Sequence, residues 1–293
     1  MHPLIYVCDY DFLKSKMDQN AYNRVTALVN SDNVILLNVK RGDSINALEV
    51  EKKYNPCMIL QEHIQPGFPV MLYNLDKVKC KTAMILGDLH SNYGLLKQVQ
   101  PWKTILLYYD AGLYLKQYFP KKDFRILPHH ISFDVYKDYG LEKEYDILLY
   151  GNTNSKFYPF RKRLHKLLSK HFNCKVVSYP EIRGVELAKL LNKSWMAVAT
   201  KSTEDYLVAK YLEIPACNCL PIGNIATTEK SLFKEIVFEI PESMTDEMIV
   251  NKVRAALDDK PMLSSWIQEN KDRIQDFSTD MWVKKVWSIA NGA

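Results

Sequence analysis

Long apolar runs are missing from this chain of 293 residues. Nowhere do about eighteen apolar residues follow one another, which is the length that a helix needs to cross a bilayer. The apolar run at Leu4–Cys8 is too short for a signal peptide and has no basic flank. We therefore expect no transmembrane segment and no secretion signal.

Cysteine is present but follows no pattern. The six cysteines lie far apart or inside apolar runs, so they form neither a disulfide framework nor the paired CxxC spacing of a zinc site. Buried free thiols are typical of a reducing compartment. We therefore expect a cytoplasmic protein.

Concentrated charge is also absent. The formal net charge is +5, and no run of six or more like charges occurs. This pattern disfavours a nucleic-acid-binding arm. The short basic cluster Arg161–Arg163, at the start of a predicted helix, suits a small anionic ligand such as a nucleotide diphosphate. A nucleic-acid partner is therefore not expected.

Length and apolar content predict two α/β domains. Apolar residues make up 47% of the chain, and 293 residues exceed the usual size of one core. Short apolar runs alternate with stretches of helical length, which is typical of parallel βα units. In the first half the predicted strands are Leu4–Cys8, Val34–Val39, Met58–Leu60, Ala83–Leu86, Thr104–Tyr109 and Phe124–Leu127.

A charged segment at residues 137–144 separates this series from a second one. We place the boundary there, with one Rossmann-like domain at 1–140, another at 141–293, and terminal helices from about residue 262 returning to the first domain. Two such domains would face a central cleft, because ligands of open α/β sheets bind at the carboxyl ends of the strands. The second series of strands is predicted at Tyr145–Tyr150, Cys174–Ser178, Trp195–Ala199, Cys219–Ile222 and Glu235–Ile240.

The segment that follows the predicted strand at Trp195–Ala199 is a candidate phosphate-binding site. A helix is predicted from about Asp205 to Ile214, and Ser202 and Thr203 can cap its N-terminus. Free N–H groups at this end, together with Lys201, would attract a diphosphate. An ordinary capped helix beside a solvated lysine has the same sequence pattern.

The segment Lys210–Cys217 reads KYLEIPAC. It resembles the R-x-F-E-I-x-A-C-G signature of the C-terminal domain of group 1 glycosyltransferases, in particular the CgeB-like, spore-maturation type. The resemblance implies the GT-B fold and assigns Glu213 to the ribose hydroxyls of a nucleotide sugar. Lys210 replaces the signature arginine, which keeps the charge but loses the bidentate fork, and Asn218 replaces the signature glycine.

Two further segments are similar to the same domain. Residues 144–151 and 158–164 resemble its opening, which implies that the loop at Gly151 and Asn152 approaches the donor phosphates and that Arg161 is a phosphate ligand. A solvated arginine on the helix face is the alternative for Arg161. Residues 182–194 resemble the elements near the base, so Tyr179–Arg183 would line the base pocket. The predicted donor site comprises Gly151, Asn152, Arg161, Arg183, Lys201, Ser202, Thr203, Lys210 and Glu213.

The first domain would supply the catalytic base. Asp88 and His90 follow a predicted strand and resemble a D-x-H element of related sequences, although a capping aspartate and a turn histidine fit as well. The sequence Asp9-Tyr10-Asp11 has the letters of a metal-binding DxD element, but it does not lie in the predicted donor domain. We therefore expect positive side chains in place of a metal.

Together these features predict a metal-independent glycosyltransferase, hexosyl or pentosyl, that moves a sugar from a UDP- or GDP-sugar to a glycan or other hydroxyl acceptor, without a further cofactor. A nucleotide-sugar epimerase of GT-B fold and a non-catalytic two-domain sugar-binding protein are the alternatives. A DNA-modifying glucosyltransferase is disfavoured by the scattered charge. The sugar, the acceptor, the stereochemical outcome and the oligomeric state stay open.

Overall fold

The chain forms two compact units in a computed structural model: a first unit of Met1–Pro128 with Thr279–Ala293, and a second unit of His129–Ser278. The second unit thus begins before residue 141. Within the described residues, no helix is both long and apolar enough to span a membrane. The residues that the structure describes are 2–16, 19–63, 70–86, 99–108, 112–154, 156–178, 182–203, 205–227 and 229–292.

Parallel strands form the centre of the first unit. Its described strands are β1 (Leu4–Cys8), β2 (Val34–Asn38), β3 (Ser44–Asn46), β4 (Met58–His63), β5 (Met71–Tyr73), β6 (Lys81–Leu86), β7 (Thr104–Leu107) and β8 (Asp123–Ile126). Six of them form one parallel sheet in the order β2-β1-β4-β6-β7-β8, and β3 pairs with β5 in a small separate ladder. Strands β3 and β5 are not among those predicted from the sequence.

The second unit has the same type of sheet. Its strands are β9 (Tyr145–Tyr150), β10 (Cys174–Val177), β11 (Ser194–Val198), β12 (Leu220–Gly223) and β13 (Phe238–Glu239). They are parallel and lie in the order β10-β9-β11-β12-β13. The strand order therefore reverses direction between β9 and β11, and crevices at such switch points are where open α/β sheets bind ligands.

Helices cover these sheets. Those in the described residues are α1 (Tyr10–Lys16), α2 (Gln19–Val29), α3 (Ala47–Tyr54), α4 (Gly112–Tyr118), α5 (Pro159–Leu168), α6 (Gly184–Asn192), α7 (Lys210–Ala216), α8 (Lys230–Phe233), α9 (Asp246–Asp258), α10 (Lys260–Arg273) and α11 (Thr279–Asn291). Side chains of β9 alternate between two apolar cores: Ile147 and Leu149 belong to one, Leu148 and Tyr150 to the other. This alternation follows from the pleat of a strand that is covered on both faces.

The two helices at the end of the chain belong to different units. Trp282 and Val286 of α11 are buried in a core of the first unit, and the Trp287 indole N–H donates to Ser31 Oγ at 3.2 Å. Leu263 and Ile267 of α10 pack in a core of the second unit. A short 3-10 helix at Gln275–Phe277 separates the two. Of these two helices, α11 therefore belongs to the first unit and α10 to the second.

Candidate functional site

Gly151 directly follows the last residue of β9. Its φ of +92° lies in a region that L side chains rarely adopt, and a Cβ here would come within 2.3 Å of Lys210 Nζ and 2.9 Å of Lys210 Cε. Any side chain at this position would therefore displace the lysine. The absence of a Cβ lets the Lys210 ammonium reach the backbone at the carboxyl end of the strand.

Arg161 spans the switch point of the sheet. Its Nη1 donates to Asn152 O at 3.1 Å, while Nε and Nη2 donate to Thr200 Oγ1 and Thr200 O, both at 3.1 Å. Asn152 comes after β9 and Thr200 comes after β11. The guanidinium therefore connects the two loops between which the strand order reverses.

The N-terminal turn of α5 places Arg161 in this crevice. Pro159 occupies the first turn, where its missing N–H costs nothing, and Phe160 and Leu164 bury the helix in the core. The Tyr158 ring lies 3.9 Å from Arg161 Cζ. Arg161 is only 2% exposed, so the alternative of a solvated arginine does not describe this side chain.

Lys210 is the first residue of α7. Its Nζ donates to Tyr150 O at 2.5 Å and lies 3.5 Å from the centroid of the Tyr150 ring. Neither Lys210 nor Arg161 forms an ion pair with an acidic group within the described part of the chain. A buried arginine and a half-buried lysine therefore lie close together without an ion-pair partner among the described residues.

The pKa values of the neighbouring groups reflect this concentration of positive charge. Burial, and then the charge of Arg161, hold the pKa of Lys210 well below its usual range. Burial also lowers the pKa of Arg161. Burial, followed by the charges of Lys210 and Arg161, lowers the pKa of His165 to about 3, so that its imidazole is neutral at physiological pH. A bound anion would oppose each of these shifts.

Glu213 lies three residues after Lys210 on the same face of α7. It is buried, with 5% of its surface exposed. Its negative charge raises the pKa of Lys210, against burial and Arg161, and adds to the effect of burial in raising the pKa of Tyr150. Glu213 therefore lies beside the two cations as an acidic group.

The predicted helix from Asp205 to Ile214 is wrong at its N-terminus. The helix begins at Lys210, and no side chain caps it. The Thr203 N–H instead donates to Phe157 O at 2.9 Å, and the Ser202 N–H donates to Tyr206 O at 3.3 Å. The predicted capping role of Ser202 and Thr203 is therefore wrong, because these residues form an irregular loop after β11.

Buried aromatic and aliphatic side chains explain this loop. Tyr206 and Leu207 are 1% and 4% exposed, so they fix the segment that the sequence pattern suggested was the first helical turn. Asp205 has a left-handed φ of +55°, which turns the chain before α7. Its carboxylate accepts from Lys201 Nζ at 2.6 Å. Lys201 thus forms an ion pair with a nearby acid, whereas Arg161 and Lys210 form none within the described residues.

The remaining sequence predictions concern Arg183, the two candidate bases, the base-pocket segment and the DxD-like element. Arg183 is exposed and directly precedes α6. Asp88, His90 and residues 179–181 lie outside the described residues. Asp9 accepts from the Phe12 and Arg41 N–H groups, both at 2.9 Å, so the carboxylate of this DxD-like element makes local structural bonds. No cluster of three or more metal-ligating side chains occurs among the residues described.

Three residues around the cations were not predicted from the sequence. Thr200 accepts two of the Arg161 hydrogen bonds, the Tyr150 ring lies against Lys210, and His165 lies one helical turn after Arg161. The only local signal was for His165, which follows Arg161 at the i, i+4 spacing of one helix face.

No protein-family model and no curated protein matches the sequence. Solved structures do match its fold. The sucrose-phosphate synthase of Thermosynechococcus elongatus gives a TM-score of 0.66 at 10% identity, covering 99% of this chain and 98% of that one. The chain has the GT-B fold.

Two further GT-B structures match nearly end to end. HepE of Anabaena, solved in complex with UDP, gives a TM-score of 0.61 at 8% identity and covers 99% of this chain and 100% of that one. An alpha-glucosyltransferase, solved with UDP-glucose and DNA, gives 0.62 at 11% identity and covers 98% of each chain. At these identities, the comparison with GT-B proteins concerns the fold alone.

Proposed function

We propose that this protein is a glycosyltransferase whose second unit binds the diphosphate of a nucleotide sugar at the carboxyl end of β9. The observation that carries the proposal is the pair of neighbouring cations, the buried Arg161 and the half-buried Lys210, which form no ion pair in the described part of the chain. Their position at the sheet's switch point is where ligands of this fold class bind.

A diphosphate matches the charge of this site. Removing a cation from water is costly unless it is paired, and a diphosphate would pair with both Arg161 and Lys210 through charge-assisted hydrogen bonds. Arg161 has two further N–H groups beyond the three that bond Asn152 and Thr200. Phosphate oxygens are acceptors only, so they complement a site made of donors.

The nucleoside would extend from this site toward Glu213. A carboxylate can accept both hydrogens of a ribose diol, and the buried Glu213 lies three residues from Lys210. Asn152, Lys201, Ser202 and Thr203 would border the phosphates, and Arg183 would border the base. UDP and UDP-glucose in HepE and the alpha-glucosyltransferase support a uridine or related nucleotide.

The same cations would drive sugar transfer. Negative charge develops on the leaving diphosphate, and fixed positive groups stabilise it without a metal. Asp88 or His90 of the first unit would take the proton of the acceptor hydroxyl. We further propose a metal-independent, CgeB-like enzyme of the cytoplasm that uses a UDP- or GDP-sugar, transfers a hexose or pentose to a glycan or other hydroxyl acceptor, and has no nucleic-acid acceptor.

Calorimetric titration with UDP, GDP and ADP, without added metal, tests the donor site. We expect one nucleotide to bind the wild-type protein and Lys210→Met to weaken that binding by about tenfold to a hundredfold, since a charge-assisted contact is lost. Lys162→Met is the matched control, because Lys162 is exposed on α5. Equal affinity in the Lys210 and Lys162 variants would refute the assignment.

Turnover separates the two enzyme classes that share such a site. A transferase releases the nucleoside diphosphate only when an acceptor is present and forms a glycosylated product. An epimerase would convert or hydrolyse the nucleotide sugar without an acceptor. Product analysis of the best-bound donor, with and without glycan acceptors, therefore decides between them.

A further inference from the structure

Tyr150, the last residue of β9, lies against Lys210 in two ways. The Lys210 ammonium is 3.5 Å from the centroid of the Tyr150 ring, and it donates to the Tyr150 carbonyl. We propose that Tyr150 is a positioning residue, whose ring holds Lys210 in place for an anionic ligand. This inference rests on the donor site proposed above, because it assigns a role in that site.

The geometry distinguishes this contact from the others of its kind. Lys210 and Tyr150 have the shortest distance between a cation and a ring centroid among the described residues, where Lys143 and Trp195, for comparison, are 5.7 Å apart. A cation over the face of an aromatic ring is attracted by the ring quadrupole, and the attraction grows when water is excluded. Tyr150 is only 5% exposed, so the ring face is shielded.

Lysine needs such a contact more than arginine does. Its ammonium is a point charge at the end of a flexible stem, so it holds one position only when its surroundings fix it. The Tyr150 ring and carbonyl bind the ammonium, and the bare Gly151 backbone leaves the space that it occupies. Together they hold the charge beside Arg161, whose own position is set by three hydrogen bonds.

The ring and the hydroxyl of Tyr150 can be tested separately. The hydroxyl oxygen is buried and has no hydrogen-bond partner in the part of the chain that the structure describes. It therefore contributes nothing to holding Lys210, and the proposal assigns the role to the ring. Phenylalanine keeps that ring, whereas leucine removes it and keeps an apolar side chain.

The affinities of Tyr150→Phe and Tyr150→Leu for UDP, GDP, ADP and inorganic pyrophosphate test the inference by calorimetry. We expect Tyr150→Phe to bind within about twofold of the wild-type protein, and Tyr150→Leu to bind about threefold to thirtyfold more weakly, which is the range of a shielded cation–π contact. Should Tyr150→Leu fail to fold, Tyr150→Met gives the same comparison. Leu148→Val is the control for general loosening, because Leu148 packs in the same core.

A double-mutant cycle with Lys210→Met shows whether the effect acts through the lysine. In that background we expect Tyr150→Leu to cause no further loss of affinity, which a merely structural role of Tyr150 would not produce. Equal binding by the wild-type protein and Tyr150→Leu, or an undiminished loss in the Lys210→Met background, would overturn the inference and leave the donor site standing. Absence of binding to the wild-type protein would instead overturn the proposed function.

Discussion

The two units each bury an arginine, and the surroundings of the two side chains are opposite. In the first unit, Arg24 forms an ion pair with Glu62, whose carboxylate also accepts from Tyr6 at 3.1 Å and from Tyr108 at 2.9 Å. In the second unit, the hydrogen bonds of Arg161 within the described residues go to neutral oxygens of Asn152 and Thr200. Arg24 thus has a carboxylate partner, whereas Arg161 has none in the part of the chain that the structure describes.

The pKa values of the two arginines shift in opposite directions. Burial alone would lower the pKa of Arg24, but Glu62 raises it above its ordinary value. Burial lowers the pKa of Arg161, and only tyrosines oppose the effect. A buried cation with a carboxylate partner has its charge balanced within the fold, while a buried cation without one has charge left for a ligand. The comparison therefore separates a structural arginine from a candidate binding residue.

The largest expected effect is on stability in the first unit. Arg24→Met would leave the Glu62 charge buried without its partner, and we expect a loss of about 3 to 5 kcal/mol in the free energy of unfolding. Urea denaturation followed by circular dichroism measures this loss. Arg24→Met combined with Glu62→Gln should recover part of it, and an unchanged stability of Arg24→Met would contradict the structural role.

Arg161→Met should affect nucleotide affinity more than stability. We expect a smaller loss of stability than for Arg24→Met, since no charge is left unpaired, together with a loss of nucleotide affinity of about a hundredfold. Arg161→Lys should fall between these extremes, because it retains the charge without the fork. Calorimetry and denaturation on the same preparations check both expectations. If Arg161→Met binds the nucleotide with wild-type affinity, Arg161 is not part of the binding site.

A substitution at Gly151 can be compared with one at another glycine of positive φ, so that both variants have backbone strain. Gly151→Ala should weaken nucleotide binding by about tenfold, because the new Cβ would displace Lys210. Gly140→Ala is the control: Gly140 also has a positive φ, of +66°, but no atom lies within 4 Å of its added Cβ. Both variants should lose stability by about 1 kcal/mol or more. A loss of affinity shared equally by both variants would rule out displacement of the lysine.

A further effect concerns pH. The pKa of His165 is about 3 in the folded protein against 6.5 ordinarily, so between these values the unfolded chain binds more protons and stability falls as pH falls. The slope is about 1.4 kcal/mol per pH unit at most. His165→Gln should be less sensitive to acid across this window. Parallel pH dependences of the two proteins in urea denaturation would contradict a neutral, buried imidazole.

Sequence reasoning succeeded where burial is continuous. Leu4–Cys8 and Tyr145–Tyr150 have the predicted bounds, because a central parallel strand is a run of apolar residues that local composition reveals. The strand predicted at Glu235–Ile240 is only Phe238–Glu239. At a sheet edge, tertiary contacts rather than the apolar run decide how many residues pair.

The candidate site could also be predicted from the sequence only in part. Gly151, Arg161 and Lys210 came from resemblance to a family, and the structure brings them together, while their binding role stays a prediction. Thr200 and Tyr150 acquire their positions through contacts between β9, β11, α5 and α7, which lie far apart in the chain. No local pattern encodes such contacts. The start of α7 was predicted wrongly for the same reason. The burial of Tyr206 and Leu207 decides the conformation of this segment, although capping residues precede it in the sequence.

Calorimetric titration of the wild-type protein with UDP, GDP, ADP and inorganic pyrophosphate, without added metal, tests the central claim most directly. The account predicts that one nucleoside diphosphate binds and stabilises the protein, that pyrophosphate competes with it, and that Arg161→Met weakens the binding about a hundredfold. Absence of binding by all four, or binding that Arg161→Met leaves unchanged, would contradict the claim that the unpaired cations of the second unit form an anion site.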